Sequence, residues 1–386
     1  MAETLLIDIG CLCDSATDST LDHIYKAIGD GPDDGIWEPH PNLFIRRIVE
    51  LFTQRGLDRI AGLRDELVRW LSGEAHRPAE GAPTVRPSGA MERWTAQELG
   101  IVKLYLENLA PADFTLDDWM LVVDYLVQRY LPADDLRTEA DWLVTRSNLM
   151  GRVQASMGTI TVAEADTVLA ALPSLADLEV EWGMTAVQMA VVEYGRARCG
   201  ENVVSLVDAA RHRLRKLIVD DQEARFLGDK ASMAEGLQTK LLDNFGMMNR
   251  DWRRIAVTEA GENANQGMVA AQKPGTKLKR VEMYRGACAF CRSIDGMVMT
   301  VVAPDAPKKD GDTQIWLGKS NQGRSASPRK RVDGVLVERE VGERLWVPAG
   351  LAHINCRGSW ASVGGLPPDP TFDAWLAKLD RRETAA

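Results

Sequence analysis

The chain has 386 residues, and 46 Lys plus Arg against 56 Asp plus Glu leave a net charge of −10. Such a length exceeds one compact core and suits two or three domains. With 45% hydrophobic and 26% charged residues the composition excludes wholesale disorder, and the net acidity excludes nucleic-acid binding by bulk charge. The charge is graded, from about −15 over residues 1–180 to about +5 over 181–386. Only the second part is suited to an acidic surface such as DNA. No run approaches the ~18 uninterrupted apolar residues of a membrane span. Met1 to Asp8 lacks the basic flank and cleavage site of a signal peptide. A protein made and at first kept in a cytoplasm is expected.

Residues 1–75 form a mixed N-terminal region. Leu5–Ile9 reads as a strand, Gly29 to Gly35 as a turn cluster, and Asn42 to Leu71 as one or two amphipathic helices, with apolar residues recurring at three and four. Residues 76–91, rich in Pro and Gly, read as a linker. An acidic helical domain is expected over 92–183. Its helices are Trp94–Leu109, one capped by Thr115 and running to about Tyr130, Thr138 to about Met157, and Val162–Leu172. Residues 184–272 continue the helices through Asn202–Val219, a capping box at Ser232 and Glu235, and a helix capped by Asn249 that runs to about Ala271. Over 273–363 the texture becomes β-like, with short runs at Val281–Tyr284, Met297–Val302, Val332–Val337 and Leu345–Val347. Residues 364–386 form a tail with a short amphipathic stretch, Phe372 to Leu379. The predicted fold class is α+β: mainly α-helical N-terminal and central regions, then a small C-terminal β-rich module clipped by a metal.

The clip is read from two distant pairs. Cys288-Ala289-Phe290-Cys291 is answered some sixty residues later by His353-Ile354-Asn355-Cys356. Two intervening residues let a tight turn aim both side chains at one cation, and three thiolates plus an imidazole fill a tetrahedral structural zinc shell with no open position. Each pair is expected on a β-turn. Closing so long a loop would stabilise a segment poor in large core residues. A redox dithiol and plain buried thiols are the other readings of these cysteines. Cys11, Cys13 and His23 lack a fourth ligand for a second site.

Lys319, Arg324, Arg329, Lys330 and Arg331 stand in a polar loop between the two pairs. They can track phosphates without reading sequence, or simply solvate a hairpin tip. Arg253, Arg254, Thr258 and Glu259 share a helix whose apolar face is Trp252, Ile255 and Ala256, which leaves the arginines on the other side. Eleven tryptophans are scattered as core or interface anchors rather than as a base-stacking strip. No phosphate-binding loop, nucleophile elbow or zinc-protease motif occurs, and enzymatic activity is not supported.

Three segments in order carry a resemblance: Arg253 to Glu259 followed by Asn263 and Asn265-Gln266-Gly267; Cys288 to Cys291 with Ile294-Asp295-Gly296; and Val347-Pro348 leading to His353-Ile354-Asn355-Cys356-Arg357-Gly358-Ser359-Trp360. Over about residues 185–361 the chain resembles the Mu F-like minor head protein (phage head morphogenesis) family of tailed bacteriophages. Ile354 stands where that family usually has Pro, and Gly358 where a further Cys is usual. The resemblance implies a minor capsid protein bound near the portal inside the head. It would assist procapsid assembly, with portal, major capsid or scaffold proteins as partners, and would take part in DNA packaging or ejection. It makes the Arg253–Glu259 helix part of the assembly module. No membrane or small-molecule substrate is expected. A cytoplasmic zinc-containing nucleic-acid-binding protein unrelated to virions is the alternative.

Overall fold

The structure, a computed structural model, describes residues 36–88, 93–157, 161–173, 183–228 and 236–364. The readings placed on Leu5–Ile9, Gly29–Gly35, Cys11, Cys13, His23, the Ser232–Glu235 capping box and the 364–386 tail's Phe372–Leu379 lie outside these residues.

The helices are α1 (Leu43–Leu71), α2 (Ala96–Asn108), α3 (Leu116–Tyr130), α4 (Ala133–Met157), α5 (Val162–Ala171), α6 (Ala186–Leu227) and α7 (Leu237–Ala270). Thr95, Thr115 and Thr161 cap α2, α3 and α5. Each hydroxyl accepts an N–H one turn on, and Glu98, Asp118 and Glu164 return a carboxylate to the cap's own N–H. Two expectations are corrected. Helix α4 starts at Ala133 rather than Thr138, directly after Pro132, with Asp134 and Asp135 favourable in its first turn. Asn249 caps nothing: it lies inside α7, because the buried row Phe245, Met248, Trp252, Ile255 continues one helical face without a break. None of the described helices is long and apolar enough to cross a membrane.

The chain forms two compact units, each discontinuous in sequence. One comprises Met1–Phe52, Ala140–Cys199 and Arg253–Ala386; the other comprises Thr53–Glu139 and Gly200–Trp252. The second is helical. There α1 carries Gly56 against the Trp252 ring and Gly62 against Tyr130, with no room for a Cβ at either. Buried Asp118 accepts from Arg86 at 2.7 Å and from the Tyr105 hydroxyl at 2.9 Å.

The first unit holds the β-rich segment. Its strands are β1 (Lys277–Val281), β2 (Val298–Val301), β3 (Gln314–Ile315), β4 (Arg329–Val332), β5 (Val335–Glu338) and β6 (Ser359–Ser362), with a short helix α8 (Ala289–Ile294) between β1 and β2. One sheet has the order β3-β2-β1-β6. Strand β1 is antiparallel to both neighbours, with Leu278 opposite Met299 and Arg280 opposite Trp360, and β2 and β3 are parallel. Strands β4 and β5 form a separate hairpin whose two-residue turn is Asp333-Gly334, both at positive φ. The expected single run Val332–Val337 is therefore two strands and a turn. The run at Val281–Tyr284 is displaced to Lys277–Val281, and Leu345–Val347 is not a strand.

Helices α4 and α7 approach with backbone nearly touching backbone. A Cβ on Gly151 would lie 1.9 Å from the Ala264 carbonyl oxygen, and one on Gly267 1.9 Å from that of Asn148. The sheet's core packs Leu278, Met299, Val301, Ile315 and Trp360 with Met268 and Val269 of α7, and Cys288, Cys291 and Cys356 lie in the same cluster.

Candidate metal centre

The two sequence pairs converge. His353 Nε2 lies 3.2 Å from Cys288 Sγ and 3.0 Å from Cys291 Sγ, and Cys291 Sγ is 3.9 Å from Cys356 Sγ. Cys291 and Cys356 are fully buried, and Cys288 nearly so. The first pair does not sit on a bare β-turn. Cys288 is the N-cap of α8, its sulfur accepting the Cys291 N–H at 3.4 Å, so the helix start brings both thiols to one side. The second pair is a turn closed by the Cys356 N–H on the His353 carbonyl at 3.2 Å, with Asn355 at φ 60. His353 Nδ1 lies 2.7 Å from the Ile354 carbonyl oxygen. That partner can only accept, so the proton sits on Nδ1 and the Nε2 lone pair faces the sulfurs, the tautomer a metal ligand requires. These four side chains can hold a metal ion.

The electrostatics suit a cation. Hydrogen bonds with Cys288 and Cys356, together with burial, hold the Cys291 thiol far above its ordinary value. Burial would raise Cys356 as well, but the Cys291 hydrogen bond, the Arg280 charge and the Tyr284 hydroxyl outweigh it and bring that thiol well below. Three sulfurs this close cannot all ionise unaided; a divalent ion removes the conflict by stabilising all three thiolates.

Behind Cys356 stands a buried ion pair that the sequence reading missed. Alternation along β1 puts Leu278 and Arg280 on the core face, and Glu282 follows just past the strand end. Arg280 Nε donates to Glu282 Oε1 at 2.6 Å, both side chains being wholly buried, and Nη1 donates to the Gly350 carbonyl at 2.8 Å. Nη2 lies 4.0 Å from Cys356 Sγ. The same sulfur receives the Tyr284 hydroxyl at 3.5 Å and the Gly358 N–H at 3.4 Å. The sequence signal was faint: two charges at a spacing of two, beginning on an apolar residue.

Helix α7 positions the second turn. The Thr258 hydroxyl accepts the Asn355 N–H at 2.9 Å, Glu262 accepts the Leu351 N–H at 2.5 Å, and Asn265 donates to the Gly358 carbonyl at 2.8 Å. Gln266 accepts the Gly318 N–H at 3.0 Å. The expectation that the arginines of this helix face away from the core is corrected. Arg253 and Arg254 are buried, with Arg253 Nε donating to the Ile36 carbonyl at 3.3 Å. Glu259, also buried, is clasped by Arg198 at 2.7 and 3.1 Å. All-round burial leaves this stretch no solvated face, so its charges are met inside.

The basic loop is only partly what its composition suggests. Lys319 is buried, and its ammonium donates to the Gly311 and Gln314 carbonyls at 2.7 and 2.9 Å between the Trp316 and Trp346 rings. It is not available to a phosphate. Arg324 stacks 3.6 Å over the Trp346 ring and donates to the Arg344 carbonyl, and Lys330 pairs with Glu343. Arg329 and Arg331 are exposed on β4. No family model, curated protein or solved structure gives a significant match to this chain.

Proposed function

We propose that the chain is a minor head protein of a tailed bacteriophage, built around a structural zinc centre and bound near the portal inside the head during assembly. The observation that carries this reading is the mutual contact of the three ordered segments behind the resemblance. The Thr258 hydroxyl and Asn265 amide of the helical segment bond to the backbone of the His353–Gly358 segment, whose His353 and Cys356 meet the sulfurs of the Cys288–Cys291 segment. The motif residues thus lie against one another in the folded chain, which supports reading them together. Gly267 adds to it, as the residue whose missing side chain lets α7 reach α4.

Zinc is the ion the donor set favours. Thiolates with imidazole are a soft, tetrahedral set, and zinc bonds of about 2.3 Å to sulfur and about 2.0 Å to nitrogen put neighbouring donors roughly 3.5–3.8 Å apart. The separations of 3.0, 3.2 and 3.9 Å bracket that range. Cys288, Cys291, His353 and Cys356 would hold the ion, and it would supply a cross-link rather than chemistry. In a head, portal, major capsid or scaffold protein would be the partner. The exposed Arg329 and Arg331 are the residues of the loop left to meet packaged DNA.

Mass spectrometry of purified heads from a host expressing the full chain tests the assignment. A few copies in each head are expected, and their number should fall in the His353→Ala variant. Heads that assemble and fill normally without the chain would overturn it.

A further inference from the structure

Beside the four proposed zinc ligands stands one buried carboxylate, Glu282, paired with Arg280. Glu282 Oε2 lies 3.5 Å from Cys356 Sγ, and the donor atoms of Glu282, Cys291 and Cys356 all fall within 4.8 Å of one another. Glu282 thus stands beside two of the four proposed zinc donors, Cys291 and Cys356, as a further oxygen donor where zinc takes four ligands. A second cation in the Glu282, Cys291, Cys356 triad is opposed by the Arg280 guanidinium, already bonded to Glu282 and 4.0 Å from the Cys356 sulfur.

We propose that Glu282 is a reserve metal ligand, which takes the fourth position beside Cys288, Cys291 and His353 when the Cys356 sulfur is removed. This rests on the metal reading given above. The space for the movement is present. Oε2 lies 3.5 Å from the Cys356 sulfur, so removing that sulfur empties the volume next to it on the side of the other donors. Arg280 does not depend on the carboxylate alone for its place, since it also donates to the Gly350 carbonyl and lies over the Trp360 ring. Carboxylate oxygen is an ordinary zinc ligand at about 2.0–2.2 Å.

Four forms of the full-length chain decide it: wild type, Glu282→Gln, Cys356→Ala, and the double variant. Zinc affinity is measured by competition with a chromophoric chelator, and the coordination of each form by its Co(II) absorption spectrum. Glu282→Gln keeps an acceptor for Arg280 and should bind within about threefold of wild type. Cys356→Ala should bind about 10–100-fold more weakly while keeping a tetrahedral Co(II) spectrum with weaker sulfur-to-metal bands. The double variant should lose at least a further tenfold or so, and the tetrahedral spectrum with it. Equal affinity of Cys356→Ala and the double variant would overturn the proposal, as would Glu282→Gln binding as weakly as Cys356→Ala. Should Cys356→Ala not fold, the Cys356→Gly pair, which likewise leaves no donor at that position, gives the same comparison. A wild-type chain that binds no zinc would remove the metal reading itself, whereas zinc-binding wild type with equal variants removes only the reserve ligand.

Discussion

The Thr258 hydroxyl on α7 accepts the backbone N–H of Asn355, the left-handed residue in the turn that presents His353 and Cys356. A helix one hundred residues upstream, in round terms, thus fixes the turn on which half of the metal donors depend. Thr258→Val keeps the shape but leaves that N–H without its acceptor, and should destabilise the chain by about 1–2 kcal/mol. Thr258→Ser should be close to neutral. Urea unfolding of the two variants side by side checks this, and equal midpoints would contradict it.

Gly267 and Gly151 should resist replacement by alanine although both are helical. Alanine ordinarily gains about 0.5–1 kcal/mol over glycine inside a helix. Here the added methyl would meet a carbonyl oxygen at 1.9 Å in each case, and backbone cannot swing aside as a side chain can. Each variant is expected to lose about 1–3 kcal/mol in denaturant unfolding. Gly246→Ala on the same helix as Gly267, with nothing near its absent Cβ, should be stabilising and serves as the control.

His40 gives the folded chain a sensitivity to acid. It is buried, its Nδ1 accepts the Asn42 N–H at 3.1 Å, and burial, with the Arg357 charge in addition, pulls its pKa down to about 3. Below its ordinary value of 6.5 the unfolded chain takes up a proton that the folded chain refuses. Stability is therefore complete above about pH 6.5 and falls as pH drops toward 3, by about 2 kcal/mol at pH 5. In His40→Gln this part of the slope should vanish, and the difference between the two pH profiles isolates it from proton uptake by the metal ligands.

Lys319 and the hairpin arginines should behave oppositely. Lys319→Met removes an ammonium shared by two carbonyls and two indole rings, so thermal stability should fall by about 1–3 kcal/mol with DNA binding unaffected. Arg329→Ser with Arg331→Ser should leave stability unchanged. If the hairpin meets DNA, this double change should weaken binding and make the salt dependence shallower by roughly two phosphate contacts. A salt profile identical to wild type would remove DNA from this surface.

Local chemistry made some of this legible in the sequence and tertiary surroundings hid the rest. Thr115 announces α3 because a cap acts within one turn, and the paired Cys-x-x-Cys and His-x-x-Cys spacings point to convergence because two short turns can aim four donors. The start of α4 is obscured by Pro132, since a proline ends one helix as readily as it precedes the next. Asp333-Gly334 carries a turn signal, but flanking valines blend it into one apparent strand. Arg280, Glu282, Arg254 and Lys319 read as surface charges, since burial of a charge is decided by partners far away in sequence: Cys356 and Gly350 for Arg280, Trp346 for Lys319. The division of the chain into two units, each discontinuous in sequence, has no local signature at all.

The metal content of the purified full-length chain, read together with its unfolding in the presence and absence of a chelator, bears most directly on the whole account. About one zinc per chain is expected, lost in His353→Ala and Cys291→Ser, with the chelator lowering the unfolding temperature of wild type but not of those variants. A folded, zinc-free wild-type chain whose unfolding is indifferent to both zinc and chelator would contradict it.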